Sequence, residues 1–144
     1  MKTIDISKLN KESFRQTLLE ESERADIVFK LYNNGLLHGD PKGKEWYQKM
    51  CDETLRKKSF CKSLIDNLDE LTFLEVSDEE IMFLKEIVKS QLQYSESRLK
   101  DYQNGLLERI VKDSEQLPEA INKLTVFENN IINLCKQIEQ IINE

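Results

Sequence analysis

The stretch that decides the fold is residues 118–142, PEAINKLTVFENNIINLCKQIEQII. Its apolar residues alternate at intervals of four and three, which is the spacing of a heptad seam. The seam consists of Ala120, Leu124, Phe127, Ile131, Leu134, Ile138 and Ile141. Because Ile121, Cys135 and Ile142 lie beside this seam, the apolar stripe is wider than contact with one neighbouring helix requires. The pattern predicts a coiled-coil-like C-terminal helix that packs against two or more other helices.

The composition of the rest of the chain also favours helices. With 144 residues, the chain has the length of one ordinary domain. Charged residues make up 33% of it, and there are only four glycines and two prolines. So little turn material indicates a few long elements, and we predict a single helical domain over residues 1–144.

Local signals set the predicted helix boundaries. Asn10 and Gly35 have the residue types that cap a helix at its start and end, and Asp40-Pro41 is typical of a helix start. Ser77 and Glu80 have the spacing of a capping box, and Asn104-Gly105 predicts a break. We therefore predict an N-terminal arm over 1–9, a short connection over 72–76, and helices over 10–34, 41–71, 78–116 with a possible break at 104–105, and 118–142.

These elements predict an all-α fold. Short connections between successive long helices favour antiparallel neighbours, so the expected architecture is an antiparallel four-helix bundle with a long third helix. An end of the third helix that projects beyond its partners would expose an apolar seam and would require a second copy of the chain. The acidic cluster Glu20, Glu21, Glu23 and Asp26 interrupts the seam of the first helix, and we interpret it as a solvated face.

The charge distribution disfavours nucleic acids and membranes as partners. The net charge is −6, and none of the predicted segments has an excess of basic residues. The strongest local basic cluster is Arg56, Lys57 and Lys58, but steps of about 100° per helical residue spread three consecutive side chains around the axis. A nucleic-acid accessory factor that uses this cluster remains an alternative function.

The residues that carry enzyme chemistry are scarce. His38 is the only histidine, which excludes sites that require two, such as His-Glu-x-x-His zinc sites. Gly35, Gly39 and Gly43 lack the Gly-Lys-Ser/Thr ending of a phosphate loop. We therefore predict no catalytic, cofactor-binding or metal-binding residues. A small-ligand-binding or enzymatic helical bundle with a site near His38 remains a second alternative.

The expected location is the cytoplasm. The N-terminal residues lack a signal-peptide core, and the chain contains no apolar run of membrane-spanning length. Cys51, Cys61 and Cys135 have no metal-site or disulfide spacing, so we expect them reduced and buried. The bias towards Lys, Ile, Asn and Glu is typical of an AT-rich bacterial or phage genome.

The leading functional hypothesis is a non-catalytic protein–protein interaction module, such as a small adaptor, inhibitor or regulatory factor. The polar side of the last predicted helix is rich in amides and poor in charge, so a partner can cover it at lower desolvation cost. We expect a protein partner and a homo-oligomer, with a dimer favoured. The candidate partner-binding residues are Trp46, Tyr47, Ile131, Ile132, Leu134, Ile138 and Ile142.

Overall fold

The computed structural model describes residues 1–38, 42–111 and 115–144. These residues form five α-helices, one short 3₁₀ turn and one two-stranded sheet, so the predicted all-α class holds for most of the chain. The elements are β1 (Lys2–Asp5), α1 (Lys11–His38), α2 (Lys44–Asn67), the 3₁₀ turn (Leu68–Glu70), β2 (Phe73–Val76), α3 (Asp78–Gln103), α4 (Leu106–Ile110) and α5 (Leu117–Ile142).

The predicted arm and the predicted connection before the third helix pair as a sheet. β1 runs antiparallel to β2, with Ile4 opposite Leu74. Ile6 continues the pairing, since its backbone N–H donates to the carbonyl of Thr72 at 2.9 Å. Alternation places Ile4 and Ile6 inward, where both are buried. The sheet therefore closes one end of the helical core, which we call the proximal end.

The four long helices pack mainly as two antiparallel pairs. α1 leads away from the sheet and contacts α2, which returns to it, and α3 and α5 form the second pair. α1 also contacts α3 and α5, which joins the pairs. Lys2 of β1 donates from Nζ to the carbonyl of Ile142 at 2.7 Å, so β1 fixes the C-terminal end of α5 at the sheet.

One hydrophobic core lies between the sheet and the middle of the helices. Both strands, the 3₁₀ turn and all four long helices contribute buried side chains to it. The largest of these include Phe14, Leu18, Leu68, Phe83, Leu84, Ile87, Ile131 and Leu134. The opposite end of the molecule, which we call the distal end, contains α4, the second half of α1 and the first turns of α2 and α5.

Two local signals have the geometry that the sequence predicts. The Ser77 hydroxyl accepts from the Glu80 amide at 3.2 Å, and the Glu80 carboxylate accepts from the Ser77 amide at 2.9 Å. This reciprocal pair opens α3. Gly105 has a φ of 78°, in the left-handed region that glycine enters without strain, and it separates α3 from α4.

The structure corrects the predicted ends of the first three helices. α1 continues through Gly35 to His38, so Gly35 does not end the helix. The glycine instead allows close packing, since a Cβ there would overlap the ring of Tyr47. α2 begins at Lys44, and the predicted cap at Asp40-Pro41 lies outside the described residues. The 3₁₀ turn replaces the last turn of the predicted second helix, and α4 ends at Ile110 rather than near residue 116.

Candidate functional site

The predicted partner-binding residues of α5 lie in the core of the chain itself. Ile131, Ile132, Leu134, Ile138 and Ile142 are between 0% and 7% exposed. All of them except Ile132 belong to the core that α1, α2 and α3 share with α5. Their side chains are therefore buried within the chain itself.

The predicted aromatic pair lies at the distal end of the first helix pair. The Trp46 ring packs edge-on against Tyr47 at 4.9 Å and against Tyr32 at 5.6 Å between centroids. Tyr47 is buried, while Trp46 is partly exposed beneath the ammonium group of Lys42. The cluster therefore joins α1 to α2, and Trp46 alone of the predicted pair retains a partly accessible face.

The first alternative site is the region around His38. His38 is the exposed last residue of α1. A cleft of about 330 Å³ between α1, α2 and α3 is lined instead by residues such as Tyr32, Met50 and Tyr94. His38 does not line this cleft.

Each member of the predicted basic cluster has a carboxylate beside it. Arg56 donates to Glu79 at 2.8 Å and 3.2 Å. Lys57 lies 3.4 Å from Glu86, and Lys58 contacts Asp26. These carboxylates offset the positive potential that phosphate binding requires.

A set of hydrogen-bonded polar side chains, which we call the polar layer, crosses the molecule between the core and the distal end. Its members are Glu20, Glu21 and Arg24 of α1, Gln91 and Arg98 of α3, and Glu128 of α5. Gln91 of α3 is fully buried; it accepts from Arg24 at 2.6 Å and donates to Glu20 at 2.9 Å. Arg98 donates to Glu128 of α5 at 3.1 Å, and its second nitrogen lies 3.4 Å from Glu20. Side chains from α1, α3 and α5 are thereby fixed in one register.

The polar layer corrects the interpretation of the acidic cluster. Glu21 is only 3% exposed and accepts from Arg24 at 2.7 Å, so it is not part of a solvated face. Burial by itself raises the pKa of Glu20. The hydrogen bond from Gln91 and the charge of Arg98 outweigh burial, and the pKa of Glu20 lies below its usual value.

Between the polar layer and the distal end, the neighbouring helices bury the inner face of α5 less completely. Glu128 pairs with Arg98, which lies five residues before the end of α3. Eleven residues of α5 precede Glu128, a length of about 16 Å at 1.5 Å per residue. Of the described elements beyond Gln103, the short helix α4 contacts α5.

The exposed apolar residues of this region form the candidate site. Leu124 and Phe127 are 37% and 36% exposed, although they lie on the same helical face as Ile131 and Leu134. Ile110 and Val111, at the end of α4, are 66% and 42% exposed. We call these four residues, Ile110, Val111, Leu124 and Phe127, the distal apolar surface.

Other ligand chemistry finds little support in the described ranges. These ranges contain no group of three or more His, Cys, Asp or Glu side chains positioned to hold a metal ion. All three cysteines are free and buried, as predicted. Burial raises the pKa of Cys61 and of Cys135 to about 12, which suppresses the reactive thiolate. Among the described helices, none combines the length and hydropathy that a membrane span requires.

Comparison of the chain with known protein families, with curated proteins and with solved structures finds no match in any of the three.

Sequence reasoning identified the apolar face of α5 but missed which part of it is exposed. The available signal was the break at Asn104-Gly105, because it ends α3 before the whole seam of α5 is covered. Glu128 gave a second signal, as a carboxylate beside the seam that requires a cationic partner when buried. Its partner, Arg98, is 30 residues away in the chain, and no local pattern identifies that pairing.

Proposed function

We propose that this chain is a non-catalytic protein–protein interaction module, a small cytoplasmic adaptor, inhibitor or regulatory factor of bacterial or phage type. In this proposal the four long helices act as an antiparallel four-helix bundle, whose sheet-closed proximal core holds the distal apolar surface in place. The partner is a protein with an apolar-faced helix.

The distal apolar surface carries the proposal. Isolated exposed apolar residues are ordinary, but Leu124 and Phe127 extend a seam whose next three members are buried and whose last, Ile141, is partly buried. A seam at helical spacing is normally covered by another helix, as α3 covers the lower part of α5. The partner helix would therefore occupy the position that α3 leaves open beyond Gln103.

The electrostatics favour the same interpretation. The cations of the predicted basic cluster lie beside carboxylates, and the charged residues of the polar layer are largely paired. The distal apolar surface itself has no charged member, so a partner desolvates little charge when it binds. Apolar contact then supplies most of the binding free energy.

The test uses two double variants that each replace two exposed apolar residues by glutamine, a good helix former. L124Q/F127Q removes apolar area from the distal surface. L55Q/M82Q is the matched control, since Leu55 and Met82 are 46% and 41% exposed and lie on α2 and α3 in the proximal half. Proteins captured by the wild-type chain are identified, purified and titrated against all three proteins.

The proposal expects L124Q/F127Q to bind the purified partner at least about tenfold more weakly, which corresponds to about 1.4 kcal/mol. L55Q/M82Q should bind as the wild type does. Circular dichroism must show the same helix content for all three proteins. Equal affinity of L124Q/F127Q and wild type would contradict the proposal.

A further inference from the structure

The outward face of α5 differs in chemistry from the exposed face of α3, the helix with which it pairs. Among the exposed residues of α3, 7 of 12 are charged, whereas in α5 only 4 of 15 are. Amides replace the charges in α5. Since both helices lie in one chain of which 33% is charged, the difference belongs to this face rather than to the overall composition.

Six uncharged residues run along this face in one line. Their intervals of 4, 3, 4, 4 and 3 keep them on one side of the helix over about 27 Å. All six are exposed. We call them the amide stripe: Asn122, Val126, Asn129, Asn133, Gln137 and Gln140.

The chemistry of the amide stripe suits pairing with itself. In a two-fold symmetric interface, the same surface of each copy meets its counterpart, so a charge near the axis faces a like charge. An amide has both a donor and an acceptor group, and it can hydrogen-bond with another amide across the axis. A charge-free row of five amides and one valine is therefore self-complementary in a way that the charged face of α3 is not.

We propose that a second copy of this chain binds antiparallel along the amide stripe. The spacing of the stripe is nearly symmetric about its middle. The two-fold axis would then pass between Asn129 and Asn133, and Asn129 would face Asn133 of the partner subunit. The flanking carboxylates Glu119 and Glu144 approach each other only at the ends of the stripe, where solvent and salt screen them.

This inference rests on the proposed function, that the chain is an interaction module, but it uses a different surface. Val126 and Leu124 are two residues apart, so their side chains point in directions about 200° apart on α5. A dimer through the stripe therefore leaves the distal apolar surface accessible to a partner. One helix face presents fewer than the roughly 20–30 residues a side of a standard interface, so the dimer dissociates on dilution.

Sedimentation equilibrium of the full chain tests the pairing. The wild type should have a weight-average mass of 17.0 kDa at low concentration. The mass should rise towards twice that value between about 10 μM and about 1 mM. N129K/N133K places lysines opposite lysines across the axis and should stay monomeric. N129E/N133K places each glutamate opposite the lysine of the other copy and should dimerise again.

The matched control is Q93K/S97K, which adds two lysines to exposed positions of α3 and should dimerise as the wild type does. L124Q/F127Q should also dimerise, because Leu124 and Phe127 point about 200° and about 100° away from Val126 on α5 and are not members of the stripe. A monomeric wild type over the whole concentration range, or an N129K/N133K variant that dimerises normally, would overturn the pairing. Either result leaves the proposed function to be decided separately by the affinity of the purified partner for L124Q/F127Q.

Discussion

From Glu128 to Ile142, the inner face of α5 is mostly buried by the neighbouring helices, whereas from Leu117 to Phe127 the same face is only partly buried. Leu134 is 1% exposed and Leu124 is 37% exposed, yet both occupy the same heptad seam. The difference shows that periodicity determines which face of a helix is apolar, while the lengths of the neighbouring helices determine where that face is covered. A covered seam stabilises the monomer, and an exposed seam is available to a partner.

The largest expected difference between the buried and the partly exposed halves of the α5 seam is in cysteine reactivity. Burial raises the pKa of Cys135 to about 12, so at pH 8 its thiolate is on the order of a thousandfold scarcer than that of an ordinary cysteine. A cysteine introduced by Leu124→Cys, at a position 37% exposed, should have a thiolate population close to the ordinary value. Alkylation by iodoacetamide, followed by peptide mass spectrometry, should modify Cys135 far more slowly. Similar alkylation rates at both positions would mean that Cys135 is accessible to solvent and that the core is not closed around it.

The second contrast is in stability. Leu134→Ala leaves a cavity in the core and should lower the free energy of unfolding by about 2–5 kcal/mol. Leu124→Ala removes a partly exposed side chain and should cost less than about 1.5 kcal/mol. Urea denaturation followed by circular dichroism measures both. Equal losses would show that the distal half of the seam is covered as completely as the proximal half.

A smaller effect is expected at the boundary between the halves, where Glu20 belongs to the polar layer. Its pKa is depressed in the folded chain, so its contribution to stability is present above the unfolded value, 4.5, and is lost as the pH falls through the folded value. Glu20→Gln should flatten the decline in stability below pH 4.5. Urea denaturation between pH 3 and 7 measures that slope, in roughly one-unit steps. A variant that declines as steeply as the wild type would show that other carboxylates cause the acid sensitivity.

The parts of the fold that depend on nearby residues could be predicted from the sequence. The capping box at Ser77 and Glu80 and the break at Gly105 involve residues within a turn of each other. The extent of α5 follows from its own periodicity and from Pro118 near its start. The predicted burial of the cysteines also holds, because small apolar residues on a helical seam need only a nearby core.

The parts that depend on distant residues could not be predicted. β1 and β2 are four residues each, and they become strands only by pairing with each other across about 70 residues of chain. Glu21 interrupts an apolar pattern and resembles a solvated residue, but in the fold it is buried beside Arg24 and Lys57 of α2. For the candidate site, the seam was predictable, but its covered length depends on where α3 ends relative to α5.

The most direct test of the central claim is the dissociation constant of a purified partner for the wild type and for L124Q/F127Q, measured by isothermal titration calorimetry. If the exposed half of the α5 seam is the binding surface, the variant binds at least about tenfold more weakly while keeping the helix content of the wild type. A dissociation constant within about twofold of the wild-type value, with the fold intact, would contradict the claim.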